Sequence, residues 1–330
     1  MKIIILVAGK GTRLQPFTFT KAKAMVEVAG KPVLEHILHQ VMQLKKVSVS
    51  EVIFIVGYLG NQIADFVISK KYPFKVTFIE QKELKGQAHA VKLAQDAITQ
   101  DCVIWFVDTL SDANLDQLSM VTEDGAIYVK EVQDPRRFGQ VKEVNGIVTE
   151  IKEKANPPIS FLVNIGLYYV KNYKLMLEAI DELIEKGMQT KGEFYLMDAF
   201  SLMIAKGATF RALPVTVWKD CGVPQEFLET NAYLLSKKAY QHVPKKLPSS
   251  VKIIPPVFIS DDVVLEHAVI GPNVSLGTKT IVKNARIKES IIFEHCELDD
   301  VVLHDSMIGE YSSIKNAKGS LIVGPQTRIQ

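Results

Sequence analysis

Gly9, Gly11, Thr12 and Arg13 stand together directly after the apolar run Lys2–Val7, with Lys21 and Lys23 shortly downstream. Glycines let a backbone approach a ligand closely and take positive φ. Successive backbone N–H groups in such a turn make a concave anion site. Arg13 adds a planar fork of donors matched to phosphate oxygens. The chemistry implied is phosphate binding at the carboxyl end of the first strand of an open α/β sheet, where such folds bind ligands. A tight turn with solvated basic side chains has the same composition. The standard fingerprints are absent: there is no G-x-x-x-x-G-K-[ST], and Leu14 stands where the dinucleotide pattern has its third glycine.

Carboxylates supply the second kind of chemistry. Asp108 follows the buried-strand pattern ending at Val107, where a carboxylate is costly unless it pairs or binds a cation. Mg²⁺ takes one or two protein carboxylates together with phosphate oxygens and water. Asp112 reads as a loop or cap residue, and Asp220, taken alone, as an N-cap or turn aspartate. Gln81 carries an amide donor and acceptor that suit a pyrimidine edge. Gly86 then opens a helix and would let a flat base lie against the backbone; a plain strand-to-helix loop is the alternative. Glu153-Lys154 is by default a solvated pair.

These residues need elements to hold them. Val33–Leu44 places Val33, Leu34, Ile37, Leu38, Val41 and Leu44 at helical spacing. Strands over Val52–Val56, Val76–Ile79 and Cys102–Val107 alternate with helices over Gln62–Ser69 and Gln87–Ala97, as in parallel βαβ units. The middle of the chain is strand-rich, with a tight-turn signal at Asn145-Gly146. Helices are expected over Lys174–Glu185, Glu193–Ala205 and Gln225–Tyr240, and strands over Val163–Val170, Thr209–Leu213 and Val215–Trp218. Beyond a proline-bearing linker, aliphatic residues recur every five or six positions from Ile259 through Leu265, Ile270, Leu276 and Val282 to Ile314. That is an imperfect hexapeptide repeat, the signature of a parallel β-helix with a continuous apolar interior. The tail is expected to be separable and to serve association rather than chemistry, so a homo-oligomer is expected.

At 330 residues the chain has the length of two domains. Its hydrophobic content of 47%, charged content of 23% and net charge of +2 give no argument for a nucleic-acid or membrane partner. Cys102, Cys221 and Cys296 form neither a metal spacing nor a disulfide framework, which suits a reducing compartment. No run reaches transmembrane length, no signal segment is seen at the N-terminus, and a cytoplasmic protein is expected.

The run Ala8–Pro16, with Lys23-Ala24-Met25 and Val28-Ala29-Gly30-Lys31-Pro32, resembles the signature of the sugar-1-phosphate nucleotidyltransferases. The resemblance covers most of the chain and is strongest to long-form glucose-1-phosphate thymidylyltransferases that carry a C-terminal left-handed β-helix. It implies an α/β, Rossmann-like nucleotidyltransferase domain with a mixed central sheet over residues 1–240, a linker over 241–250, and a left-handed hexapeptide-repeat β-helix over 251–330. It implies nucleotide binding by Ala8, Gly9, Gly11, Thr12, Arg13, Gln81 and Gly86, and sugar binding by Gly139, Glu153, Lys154 and Gly166. Arg13, Lys23 and Lys154 would be the catalytic cations, and Asp108 and Asp220 the Mg²⁺ ligands. Glu193 and Asp198 resemble an element supporting the sugar pocket. The implied reaction joins dTTP or UTP to a sugar-1-phosphate, glucose-1-phosphate first, with release of pyrophosphate. The chain departs from the family pattern at Ala22, Val107, Phe161 and Val223. Those departures keep a second class open, a non-catalytic assembly or regulatory subunit. Mannose-1-phosphate guanylyl transfer, and acyl transfer with His295 or His304 as base, are further alternatives.

Overall fold

A computed structural model describes residues 1–330. In chain order the strands before the C-terminal repeats are β1 Lys2–Leu6, β2 Glu27–Val28, β3 Lys31–Pro32, β4 Glu51–Val56, β5 Lys75–Glu80, β6 Cys102–Phe106, β7 Thr109–Ser111, β8 Gly125–Glu131, β9 Gly139–Val144, β10 Ile147–Glu153, β11 Leu162–Val170, β12 Phe210–Pro214 and β13 Trp218–Asp220. The helices are α1 Val33–Met42, α2 Gly60–Lys70, α3 Gln87–Leu93, α4 Tyr173–Glu185, α5 Leu196–Ala205 and α6 Pro224–Leu235. The chain divides into two compact units: Met1–Gly9 with Ile37–Trp218, and Lys10–His36 with Lys219–Gln330. We call them the sheet unit and the ladder unit.

The sheet unit holds a nine-stranded sheet in the order β5-β4-β1-β6-β11-β8-β12-β10-β9. Its first four strands are parallel. They are near-continuous aliphatic runs, as sheets covered on both faces require: Ile3, Ile4 and Ile5 are wholly buried. β11 then pairs antiparallel with both β6 and β8, which makes the sheet mixed. α4 buries Met176, Ala179, Ile180 and Leu183, a single stripe at helical spacing, and Asn172 caps it by accepting from the Leu175 N–H at 3.3 Å. Register aligns Leu6 with Ile55 and with Phe106, and Ile55 with Ile79. The segments after β1, β4, β5 and β6 therefore leave the sheet at one edge.

In the ladder unit, β2 and β3 form a hairpin whose turn residues Ala29 and Gly30 have φ of 49° and 76°. After α6 the chain alternates between two parallel ladders. One runs through Val264–Ile270, Ile281–Ile287, Glu297–Leu303 and Ser313–Lys315, the other through Val257–Ile259, Val274–Leu276, Ile291–Ile292 and Met307–Ile308. Leu265, Val282, Leu298 and Ile314 stack in register. All of them, with Ile259, Ile270, Leu276 and Ile287, lie in one buried apolar cluster.

Some expectations are corrected. The helix expected from Glu193 begins at Leu196, because Thr190 and Glu193 exchange backbone hydrogen bonds of 3.0 and 3.1 Å and hold the preceding segment as a bridge. The strand expected over Val215–Trp218 is Trp218–Asp220. Asp112 accepts from the amides of Thr216 and Val217 at 3.2 and 2.9 Å, so its loop role stands. The helix expected to reach Tyr240 ends at Leu235 and is followed by a 3-10 turn, Lys238–Tyr240. The segment Lys10–His36 lies in the same compact unit as the repeats. No helix is long and apolar enough to cross a membrane.

Candidate functional site

In the ladder unit the glycine loop from Gly11 onward is a series of tight turns. Gly11 has φ of 64° and caps the 3-10 turn Thr12–Leu14. Its carbonyl accepts from the Leu14 N–H at 2.9 Å and from Thr18 Oγ1 at 2.8 Å. A Cβ at Gly11 would lie 3.1 Å from Cβ of Lys23, so the lysine packs directly over the turn. Thr12 and Arg13 are exposed, and Gly9, at the end of the sheet unit's first segment, has open space where a side chain would stand. Ala22 is buried with φ of −56° and ψ of 140°, a conformation proline also adopts. Packing thus supplies there the backbone course that the family's proline would.

Arg13 does not stand alone. A Cβ at Gly222 would lie 2.8 Å from Arg13 Nη2, 2.8 Å from Asp220 Oδ1 and 3.1 Å from Glu226 Oε2. Gly222 thus marks the point where a guanidinium and two carboxylates converge. Neither Gly222 nor Glu226 was picked out from the sequence as a site residue, and the glycine between Asp220 and the helix-opening Pro224 was the available signal. Gly222→Ala is expected to leave the melting temperature unchanged, because only the ends of flexible side chains must move. The same shift displaces Arg13 and Asp220, and kcat should fall by about tenfold to a hundredfold, the scale of an ångström misplacement. Parallel melting and turnover measurements check this.

The sheet unit places Ala8, Gln81 and Asp108 along the edge where β1, β5 and β6 end. Ala8 accepts from the Tyr58 N–H at 3.3 Å, and a Cβ at Gly57 would lie 2.8 Å from Ala8 O. Gln81 is buried, and its Nε2 lies 3.2 Å from Gly86 O and 3.2 Å from His89 Nδ1. The amide N–H side therefore faces the protein, and Oε1 is the atom it can offer to a ligand. Gly86 has φ of 103°, and a Cβ there would lie 2.5 Å from Phe194 O. The crossing with Phe194 accounts for glycine at this position. Asp108 is partly exposed and follows Val107, which is buried. Next to it the Trp105 indole N–H donates to Thr109 O at 3.0 Å, and Thr109 Oγ1 donates to Ile165 O.

Gly139, Glu153, Lys154 and Gly166 come together in the sheet unit. A Cβ at Gly139 would lie 2.3 Å from Asn164 Nδ2 and 2.7 Å from Glu153 Oε2. Asn164 Nδ2 donates to Gly139 O at 3.0 Å, and its Oδ1 accepts from the Gly166 N–H at 3.1 Å and from the Tyr168 hydroxyl. The β11–β8 pairing is irregular between Asn164 and Tyr168, and Gly166 inside that irregularity has φ of 77°. Lys154, at φ 47°, turns the chain out of β10. Its Nζ donates to the Tyr195 hydroxyl, lies 4.3 Å from the Tyr195 ring centroid and 3.6 Å from Glu153 Oε1. Asn164 and Tyr195 escaped the sequence reading. A single Asn inside the otherwise apolar run of β11 was the signal for the first. Phe161, where the family often has Asn, is instead exposed. Asp198 is half-buried and accepts from Thr190 Oγ1 at 2.9 Å, whereas Glu193 is exposed.

Burial raises the Glu153 carboxyl to about 7; Lys154 opposes this and Asp198 adds to it. The group is protonated in the folded protein at a pH where the unfolded chain is already ionised. Its contribution to stability therefore falls as pH rises from the usual carboxylate range to about 7, and the penalty is complete above that. Glu153→Gln is expected to stabilise the protein by on the order of 1–2 kcal/mol in mildly alkaline solution and not at all below the usual carboxylate range. Urea unfolding at the two pH values checks this.

The remaining candidates do not join a site. Lys21, read as a further phosphate cation, pairs with Glu294 at 2.8 Å. His295 stacks on Tyr311 at 4.6 Å, and His304 lies 2.9 Å from its neighbour Asp305. The three cysteines are buried and free.

Comparison with known proteins gives two matching family models. Residues 2–237 match the model described as Nucleotidyl transferase, and residues 253–329 the one described as GMPPB C-terminal domain. The Bifunctional protein GlmU of Methanocaldococcus jannaschii is 32% identical over 334 aligned positions, covering 94% of this chain and 78% of that protein. The UTP–glucose-1-phosphate uridylyltransferase AglF of Haloferax volcanii is 33% identical over 234, covering 68% of this chain and 93% of that protein. A crystal structure of UDP-glucose pyrophosphorylase complexed with UDP-glucose superposes with a TM-score of 0.61 at 19% identity, over 72% of this chain and 99% of that one, a likeness of fold.

Proposed function

The chain belongs to the nucleotidyl transferase family, and from that premise we propose that it joins a pyrimidine nucleoside triphosphate, UTP or dTTP, to a hexose-1-phosphate, releasing pyrophosphate. The observation that carries this reading is the convergence of Gly139, Glu153, Lys154, Asn164 and Gly166 in one cluster of the sheet unit. The AglF relative is a UTP–glucose-1-phosphate uridylyltransferase, which favours UTP and glucose-1-phosphate as the first pair to try.

The incoming sugar phosphate is itself the nucleophile, so no covalent enzyme residue is needed and catalysis is positioning plus charge neutralisation. The loop N–H groups of Gly9, Gly11 and Thr12 with Arg13 bind the triphosphate. Lys23 steadies the transferred phosphoryl group. Gln81 Oε1 accepts from the ring N–H of uracil or thymine. Glu153 and Asn164 hold sugar hydroxyls, and Lys154, kept in place by Tyr195, holds the attacking phosphate. The donor set fits Mg²⁺, which prefers few carboxylates plus phosphate oxygens. Asp108 and Asp220 are the carboxylates proposed to hold it, and Asp220 already stands beside Arg13 near Gly222. When bound, the ion would neutralise phosphate charge.

The alternating ladders support a left-handed β-helix, and the chain is further proposed to be a cytoplasmic homo-oligomer. The function is tested by a pyrophosphate-release panel: UTP, dTTP, GTP, CTP and ATP against the 1-phosphates of glucose, galactose, mannose and N-acetylglucosamine. Turnover with a pyrimidine nucleotide supports the reading. Turnover with GTP and mannose-1-phosphate alone replaces it with guanylyl transfer, and no turnover with any pair favours the non-catalytic subunit.

A further inference from the structure

We propose that Glu294 and Glu310, carried by the C-terminal ladders, are positioning residues for the phosphate loop. By holding Lys21 and Thr20 they fix the backbone course that presents Arg13 and Lys23. The proposal rests on the nucleotidyl-transfer reading only for what the loop binds; the mechanical coupling stands on geometry within the ladder unit alone.

Lys21 Nζ lies 2.8 Å from Glu294 Oε1, with the two side chains 17% and 22% exposed. Thr20 Oγ1 donates to Glu310 Oε1 at 3.0 Å, and Glu310 is buried. Phe17 packs on Phe293 with ring centroids 5.5 Å apart, and a Cβ at Gly324 would meet Pro16 at 2.8 Å. The loop thus lies on the ladders along its length. From there the constraint passes to the site in two short steps. Thr18, two residues before Thr20, donates to Gly11 O, and Lys23, two residues after Lys21, packs over Gly11. Gly11 in turn caps the turn that carries Thr12 and Arg13.

The ladder has no need of these carboxylates for its own folding, since its interior is aliphatic. Keeping them is costly. Glu294 Oε2 is buried without a hydrogen-bond partner. Burial, and next Glu294, raise the neighbouring Glu27 carboxyl to about 6. A half-buried ion pair seldom repays its desolvation in stability. Its position suits a different task, fixing one arrangement of a segment that bears exposed cations. Lys21 then serves the loop from behind instead of contacting phosphate.

The test uses the full chain with Glu294→Gln and, separately, Glu310→Gln. Hydrogen–deuterium exchange is followed over residues 10–26 and over the ladder strands, with Michaelis constants measured for both substrates. The expected result for Glu294→Gln is exchange over residues 10–26 faster by about tenfold, the scale of losing one charge-assisted hydrogen bond. Ladder exchange and melting temperature stay as in the wild type. The apparent KM for the nucleoside triphosphate rises while that for the sugar-1-phosphate does not. Where Glu294→Gln lowers the melting temperature, Glu310→Gln, which weakens only a hydroxyl contact, gives the same pattern at smaller amplitude. Unchanged exchange over residues 10–26 in both variants overturns the coupling. Equal rises in both KM values overturn the nucleotide-side role. If the wild type shows no sugar-phosphate-dependent turnover, the nucleotidyl-transfer reading falls, and exchange still decides the coupling.

Discussion

Asp108→Asn and Asp220→Asn are each expected to lower kcat by about a hundredfold or more while leaving the fold intact. Asparagine keeps the shape and loses the charge, so the loss reports cation binding, not packing. Asp108 is partly exposed, two residues past the end of β6 and at the same end of the sheet as Leu6 and Glu80. Asp220 shares the surroundings of Gly222 with Arg13 and Glu226. Removing its charge also leaves Arg13 with less to orient it, so Asp220→Asn should raise the nucleotide KM more than Asp108→Asn does. Pyrophosphate release against Mg²⁺ concentration is the measurement. A variant whose activity at limiting Mg²⁺ matches the wild type removes that carboxylate from the site.

The second large effect separates the two lysines proposed to handle phosphate. Lys154 belongs to the cluster in the sheet unit proposed to bind sugar, where Tyr195 and Glu153 hold its ammonium. Lys23 belongs to the phosphate loop, packed over Gly11. Lys154→Ala should mainly raise the apparent KM for sugar-1-phosphate, because it removes binding present before the transition state. Lys23→Ala should mainly lower kcat, because charge shifts around the transferred phosphorus only as reaction proceeds. A charge-assisted contact is worth roughly 1.5–3 kcal/mol, so each effect should be about tenfold or more. If both variants raise only the nucleotide KM, Lys154 does not serve the sugar side.

Features set by nearby residues are legible in the sequence, and those set by distant partners are not. The strand that ends before Gly9, the turn at Gly11 and the aliphatic stacking from Ile259 onward were legible because periodicity and glycine placement reflect nearby backbone demands. The family resemblance added the pairing of Glu153 with Lys154 and the glycines at 139 and 166. Less legible were residues whose role depends on partners distant in sequence. Asn164 ties Gly139 to Gly166 across an irregular pairing, which no spacing rule announces. Tyr195 reaches Lys154 from a segment read as helix. Lys21 looked like another phosphate cation because its partner Glu294 lies hundreds of residues away. At Gly86 the backbone of Phe194 fills the space a side chain would need, a crossing that the local sequence does not announce. Composition separates the C-terminal repeats cleanly from what precedes them, but composition says nothing about the loop that packs on them.

The central claim is a single displacement in which the sugar phosphate attacks the α-phosphorus of the nucleotide. The most direct measurement is a rapid-quench single turnover with UTP labelled at the α-phosphorus, glucose-1-phosphate and Mg²⁺, resolving free nucleotide, nucleotide-sugar and protein. The account predicts that label moves from UTP to UDP-glucose only when the sugar phosphate is present, with pyrophosphate released in equal amount and no label on the protein at any time. Label bound covalently to the protein, or pyrophosphate released without sugar phosphate, would contradict it.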